Sequence, residues 1–159
     1  MKHDTFAKWL KVVIVITTLI GIACIVLVIP GLCQILDSYF PEFGGWLLPW
    51  QITVDIASIP CFVAMFLCWL IASNIQKDNS FCMANSKLFK IFSYLALGDS
   101  IYFAVASIVL WLVNMNHPGL LLIQFFICFV GLAIFVCTSA LSYFIEKAAT
   151  LQEDNDLTI

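Results

Sequence analysis

The sequence predicts an all-α integral membrane protein, a four-helix bundle with both termini cytoplasmic, a cytoplasmic loop and a short polar C-terminal tail. Composition, segment length and lysine placement predict it. The 159-residue chain is 63% hydrophobic and 11% charged, with a mean hydropathy of +1.05. Soluble domains carry about 25% charged residues, and a chain this short exposes too much surface to hide such apolar content from water. Its apolar residues form four runs, each near the roughly 20 residues that a membrane-crossing helix needs. All its cations fall beside one set of run ends.

The chain reads as one domain, 1–159, with spans at about 11–29, 48–72, 88–113 and 120–145. The first is expected to stop before Pro30, because proline lacks the N–H that a helix interior needs. Lys2, Lys8 and Lys11 ahead of an apolar stretch also suit a cleaved signal peptide. The run is longer than a signal core and no Ala-x-Ala-like site follows, so a retained span is expected. A loop from Gly31 to Trp46 leads to the second span, and the connection Asn74 to Lys87 leads to the third. Asn114 to Gly119 forms a tight turn before the fourth, and Glu146 to Ile159 is the polar tail.

Lysine placement sets the orientation. Lys2, Lys8, Lys11, Lys77, Lys87, Lys90 and Lys147 all flank one set of span ends, and the chain has no arginine. Positive charge marks the cytoplasmic side. Tyr39, Phe40, Phe43, Trp46 and Trp50 cluster at the opposite interface, and Trp9 sits at the inner one. The expected location is the inner or plasma membrane.

Enzymatic chemistry finds no support. There is no Cys-x-x-Cys pair, no zinc-ligand spacing and no phosphate-cradling glycine loop. His3 and His117 fall on opposite predicted sides, without a serine or cysteine and an orienting acid. No catalytic, cofactor or metal site is expected, and no basic patch suggests nucleic acid. Five of the seven cysteines lie inside apolar runs, where a thiol behaves as a small hydrophobe. Only Cys33 is near the outer face, so no outer disulfide is expected.

Two acids inside the apolar runs are the candidate intramembrane polar site: Asp99, with Tyr102 one turn on, and Asp55. A carboxylate at the bilayer centre costs about 2.5–3.5 kcal/mol on insertion scales. Asp99 lies near the middle of the third span, where the Tyr102 phenol on the same face could donate to it. Its plain reading is a polar tie between helices, and the alternative is proton or cation coupling. Asp55 lies nearer the outer end, beside Gln51, as either an interfacial acid or part of a site. Pro60 is a static bend or a hinge. Stripes of small residues recur at Ala57, Cys61, Ala64, Cys68 and Ala72, at Gly131, Thr138 and Ser142, and at Thr17, Gly21 and Cys24. They read as helix packing.

The cytoplasmic segments carry the remaining candidates. Ser80 suits a helix N-cap, and Phe81, Ala84 and Leu88 recur at helical spacing. This stretch reads as an ordinary juxtamembrane connection, or else as a docking face. The tail is either simply solvated or a docking segment for a soluble partner.

Asn79-Ser80-Phe81, then Asn85-Ser86-Lys87-Leu88-Phe89-Lys90-Ile91, and the ending Asp156-Leu157-Thr158-Ile159, together resemble a bacterial four-span membrane family, domain of unknown function 2975. Ser80 stands where the family pattern has proline, and lysines stand where it is richer in arginine. The resemblance covers the four spans in number and order. It implies no catalytic residues. Family genes often adjoin a gene for a small helix-turn-helix regulator, so it implies such a regulator as partner. Phe81, Asn85, Leu88, Asp156, Leu157, Thr158 and Ile159 are then the candidate docking residues. The function expected first is a regulatory or interaction protein. The alternatives are a small proton- or cation-coupled transporter or efflux subunit, working as an oligomer through Asp99, and a structural accessory subunit of a larger complex.

An external reporter enzyme fused at Asn114 will be active and the same reporter at Lys77 silent. Activity at Lys77 would overturn the orientation.

Overall fold

A computed structural model of the chain describes residues 2–39, 41 and 44–156. The helices are α1 (Lys2–Ala23), α2 (Ile29–Tyr39), α3 (Gly44–Gln76), α4 (Met83–Leu112) and α5 (Pro118–Asp156), with a π-helical turn (Cys24–Val28) between the first two. Four stretches are long and apolar enough to cross a membrane: Asp4–Ile35, Gly45–Gln76, Met83–Leu112 and Pro118–Asn155. The chain is an all-α four-helix membrane bundle.

The expected stop before Pro30 is corrected, because the helix runs on to Tyr39. Proline removes one N–H, and its ring crowds the carbonyl four residues back. Here the preceding turn widens, and the Ile29 N–H donates to the Cys24 carbonyl, five residues back. Such one-turn bulges let a helix absorb a misfit and continue. Continuing matters in hydrocarbon, where an unbonded backbone group costs several kcal/mol.

The polar tail is helical as well, since α5 continues to Asp156. Glu146-Lys147-Ala148-Ala149 and Leu151-Gln152-Glu153 are strong helix formers. They extend a helix already nucleated by the fourth span, so they bear no nucleation penalty.

Two helix ends close in the same way. After α3, Asp78 adopts φ 59°. The Asn79 N–H then donates to the Asn74 carbonyl and the Asp78 N–H to Ile75. After α4, Asn114 adopts φ 57°, while Met115 donates to Leu110 and Asn114 to Trp111. This left-handed closure usually takes glycine, and Asn and Asp are the side chains that best tolerate it. The N-cap of α4 is Cys82, not Ser80, and it makes no side-chain capping bond. Instead Asn85 reaches back from the first turn. Its Nδ2 donates to the carbonyls of Asn79 (3.3 Å) and Ser80 (2.9 Å), and its Oδ1 accepts from Asn74 Nδ2 at 2.7 Å.

Packing is sequential: α1 lies on α3, α3 on α4, and α4 most intimately on α5. The seam of that last pair is polar and small. On α4 serine recurs every seventh residue, at Ser86, Ser93, Ser100 and Ser107, and all are buried. On α5 the buried residues are Gln124, Cys128, Thr138, Ser142, Ile145 and Ala149, again at heptad spacing. Ser86 Oγ donates to the Ser142 carbonyl (3.0 Å) and Ser142 Oγ to the Ser86 carbonyl (2.8 Å). Gly131 opposes Ser100, whose Oγ occupies the space a Cβ would need.

The outward faces reverse this pattern. Leu19, Leu27, Phe66, Leu112, Leu122 and Phe126 are among many large apolar side chains left exposed. In a water-soluble fold the sides would be exchanged. In lipid, large apolar groups face the solvent, and small or hydroxylated ones join the helices.

Each end of the bundle has its own ties. At the lysine-bearing end, Lys11 Nζ donates to Gln76 Oε1 (2.7 Å), and Gln76 Nε2 donates to Asp4 Oδ1 (2.8 Å). Lys8 pairs with Asp4 at 2.6 Å, and Lys11 lies 5.1 Å from the Trp69 ring centroid. At the other end Trp50 Nε1 donates to the Met115 carbonyl (2.9 Å) and Asn116 Nδ2 to Gln124 Oε1 (2.9 Å).

Gly131→Ala should destabilise the bundle by about 1–3 kcal/mol, the usual cost of overpacking. Ser100→Ala in the same chain should restore most of that loss. Thermal unfolding of the single and double variants in detergent measures it; additive effects would refute the close contact.

Candidate functional site

Because α4 is drawn against α5 while α3 packs on α4, α3 and α5 form no comparable packed interface among the described residues. The space between them is a cavity of about 450 Å³. Its α3 wall is built on Ala57, Cys61 and Ala64, part of the stripe that sequence analysis assigned to packing. Here small side chains leave room rather than fill it. The same stripe ends at Ala72, which is fully buried. Phe92, Leu95 and Phe103 of α4 and Ile127 and Ile134 of α5 make the rest of the wall apolar.

Asp99 lies in this wall. Its Oδ2 is 3.9 Å from Cys61 Sγ, a long contact from a weak donor. Its Oδ1 is buried and has no hydrogen-bond partner. The expected Tyr102 bond is not made: the phenol crosses to α3 and donates to the Thr53 carbonyl at 3.5 Å. Positions three apart share a helix face, but a long side chain that leaves that face meets the neighbouring helix before its own. Across to α3, Asp99 makes this one weak contact with Cys61. Stronger polar ties are made by the hydroxyls and amides of Ser86 and Ser142, of Asn116 and Gln124, and of Asn74 and Asn85.

Asp55 also has a buried, unpartnered Oδ1, and its backbone carbonyl accepts from Ser58 Oγ at 2.6 Å. It is not among the cavity-lining residues, although Val54, Ala57 and Ser58 on either side are. Pro60 lies within an unbroken α3 and lines the cavity. Among the described residues no three His, Cys, Asp or Glu side chains are placed to hold a metal ion.

The docking candidates scatter. Phe81 is 60% exposed in the α3–α4 connection, whereas Asn85 is 1% exposed and spends its amide on holding that connection. Leu88 is half-buried. Asp156 closes α5, and Leu157, Thr158 and Ile159 lie outside the described residues. Sequence reasoning missed the α4 serines, although their seven-residue period was there to be found. It also missed the lock made by Asn74 and Asn85.

The profile of a family described as "Protein of unknown function (DUF2975)" matches residues 31–159. The uncharacterized membrane protein YoaS of Bacillus subtilis (strain 168) is 24% identical over 153 residues, covering 95% of this chain and 96% of its own length. No solved structure matches the chain.

Asp99→Leu should raise stability by about 1 kcal/mol, because it removes an unbonded buried polar atom and breaks no strong bond. Unfolding in detergent checks this, and a clear loss of stability would identify Asp99 as a tie after all.

Proposed function

The chain belongs to the DUF2975 family, and from that premise we propose that it is a regulatory membrane protein whose cytoplasmic loop and tail contact a helix-turn-helix transcription regulator. The observation that carries this reading is that the connection bearing Phe81 and the far end of α5 leave the same end of the bundle. That is the end where Asp4, Lys11 and Gln76 are joined. Phe81 and Leu151 are both about three-fifths exposed there. On the lysine rule this end is cytoplasmic. A signal acting on the bundle would shift it between two packings and so move the connection and α5 together.

A second reading has an observation of its own. An unpaired acid on a cavity is how a small proton- or cation-coupled transporter would begin, and flux into liposomes is its readout.

Full-length protein will co-purify with a helix-turn-helix regulator, and deleting Asp156–Ile159 will abolish that co-purification while the truncated chain still folds and inserts. Undiminished co-purification would overturn the docking role of the tail.

A further inference from the structure

We propose that the cavity between α3, α4 and α5 is a binding site for a lipophilic organic cation, with Asp99 as its charge partner. Three features of the cavity define this ligand. The first is charge. Asp99 lines the cavity, its carboxyl group makes only the long 3.9 Å contact with Cys61 Sγ, and among the described residues no lysine, arginine or histidine lines the cavity. A buried carboxyl group calls for a positive partner, and the protein leaves that place to the ligand.

The second feature is shape and lining. A volume of about 450 Å³ falls within the range of small-molecule sites, which are mostly apolar with a few polar groups that fix orientation. Here Asp99, Ser58 and Ser100 are the polar groups, and Phe92 and Phe103 supply ring surface. Aromatic faces attract a desolvated cation. An inorganic cation would need several oxygen ligands in place of its hydration shell, and this wall offers one acid. A cation carried on an apolar body suits it better.

The third feature is access. The cavity lies between α3 and α5, helices that make no comparable packed interface of their own among the described residues. Both belong to membrane-crossing stretches. A ligand dissolved in the bilayer reaches the site from the side, which favours an amphipathic molecule over a water-borne ion. The proposal shares Asp99 with the transport reading but needs no passage across the membrane, so equilibrium binding and flux can fail separately. It makes no use of the tail.

The test is equilibrium binding to the full-length protein in lipid nanodiscs. The probes are tetraphenylphosphonium, a lipophilic monocation, and tetraphenylborate, which has nearly the same shape and the opposite charge. The protein will bind the phosphonium saturably and will not bind the borate saturably. Asp99→Asn will weaken phosphonium binding by about tenfold or more, the range for a lost charged partner. Ala57→Leu, which fills the cavity and keeps the acid, will weaken it as well and carries the test if Asp99→Asn does not fold. Absence of saturable phosphonium binding would overturn the proposal. So would equal affinity for the two probes, or unchanged binding in both variants.

Discussion

Gly131 lets Ser100 lie against the backbone of α5, and the rest of the bundle is arranged around that close approach. In hydrocarbon, helices gain nothing from hiding apolar surface, because lipid tails are as apolar as leucine. Association must come from contact at short range and from hydrogen bonds between helices. The seven-residue recurrence of serine on α4 supplies small side chains along one line, and α5 answers with Cys128, Gly131, Thr138 and Ser142. At the lysine-bearing end the Ser86–Ser142 pair closes the seam reciprocally, hydroxyl to carbonyl in each direction. Asn116 and Gln124 close the other end.

The same solvent explains how the chain treats its irregularities. Water would satisfy a loose carbonyl at Pro30, whereas lipid does not, so the chain inserts a π-helical turn and keeps going. At the ends of α3 and α4, Asp78 and Asn114 take the left-handed conformation so that the last carbonyls find N–H partners within the chain. Asn85 completes the accounting by satisfying the carbonyls of Asn79 and Ser80. A residue that resembled a docking position therefore has a full set of internal obligations.

Against this background Asp55 and Asp99 stand apart. The buried serines and the tying amides have hydrogen-bond partners, whereas among the described residues one oxygen of each of these carboxyl groups has none, and of the two it is Asp99 that lines the cavity. The cavity beside it follows from the seam, since drawing α4 onto α5 leaves α3 with only one neighbour on that side. Small residues on α3 enlarge the gap instead of closing it. Stability is thus given up locally at a place where the bundle has room for something else.

Much of the architecture was legible in the sequence because lipid imposes simple rules on a chain. Run length and composition determined four spans, lysine placement put one set of ends together, and turn residues at Lys77-Asp78-Asn79 and Asn114-Met115-Asn116 marked two reversals. The helix through Pro30 was misread because the local rule for proline was applied to a segment whose neighbours already held it in helix, and the helical continuation of the polar tail has the same cause. The candidate site was half legible. Asp99 announced itself as an acid among apolar residues, but which groups face it depends on the rotation of each helix and on which pairs pack closest. Helical periodicity fixes neighbours along one helix to within a turn. Only the tertiary structure decided that Tyr102 turns to Thr53, that Ala57 and Cys61 border a space, and that Asn85 is sealed inside, because those outcomes follow from distances between helices.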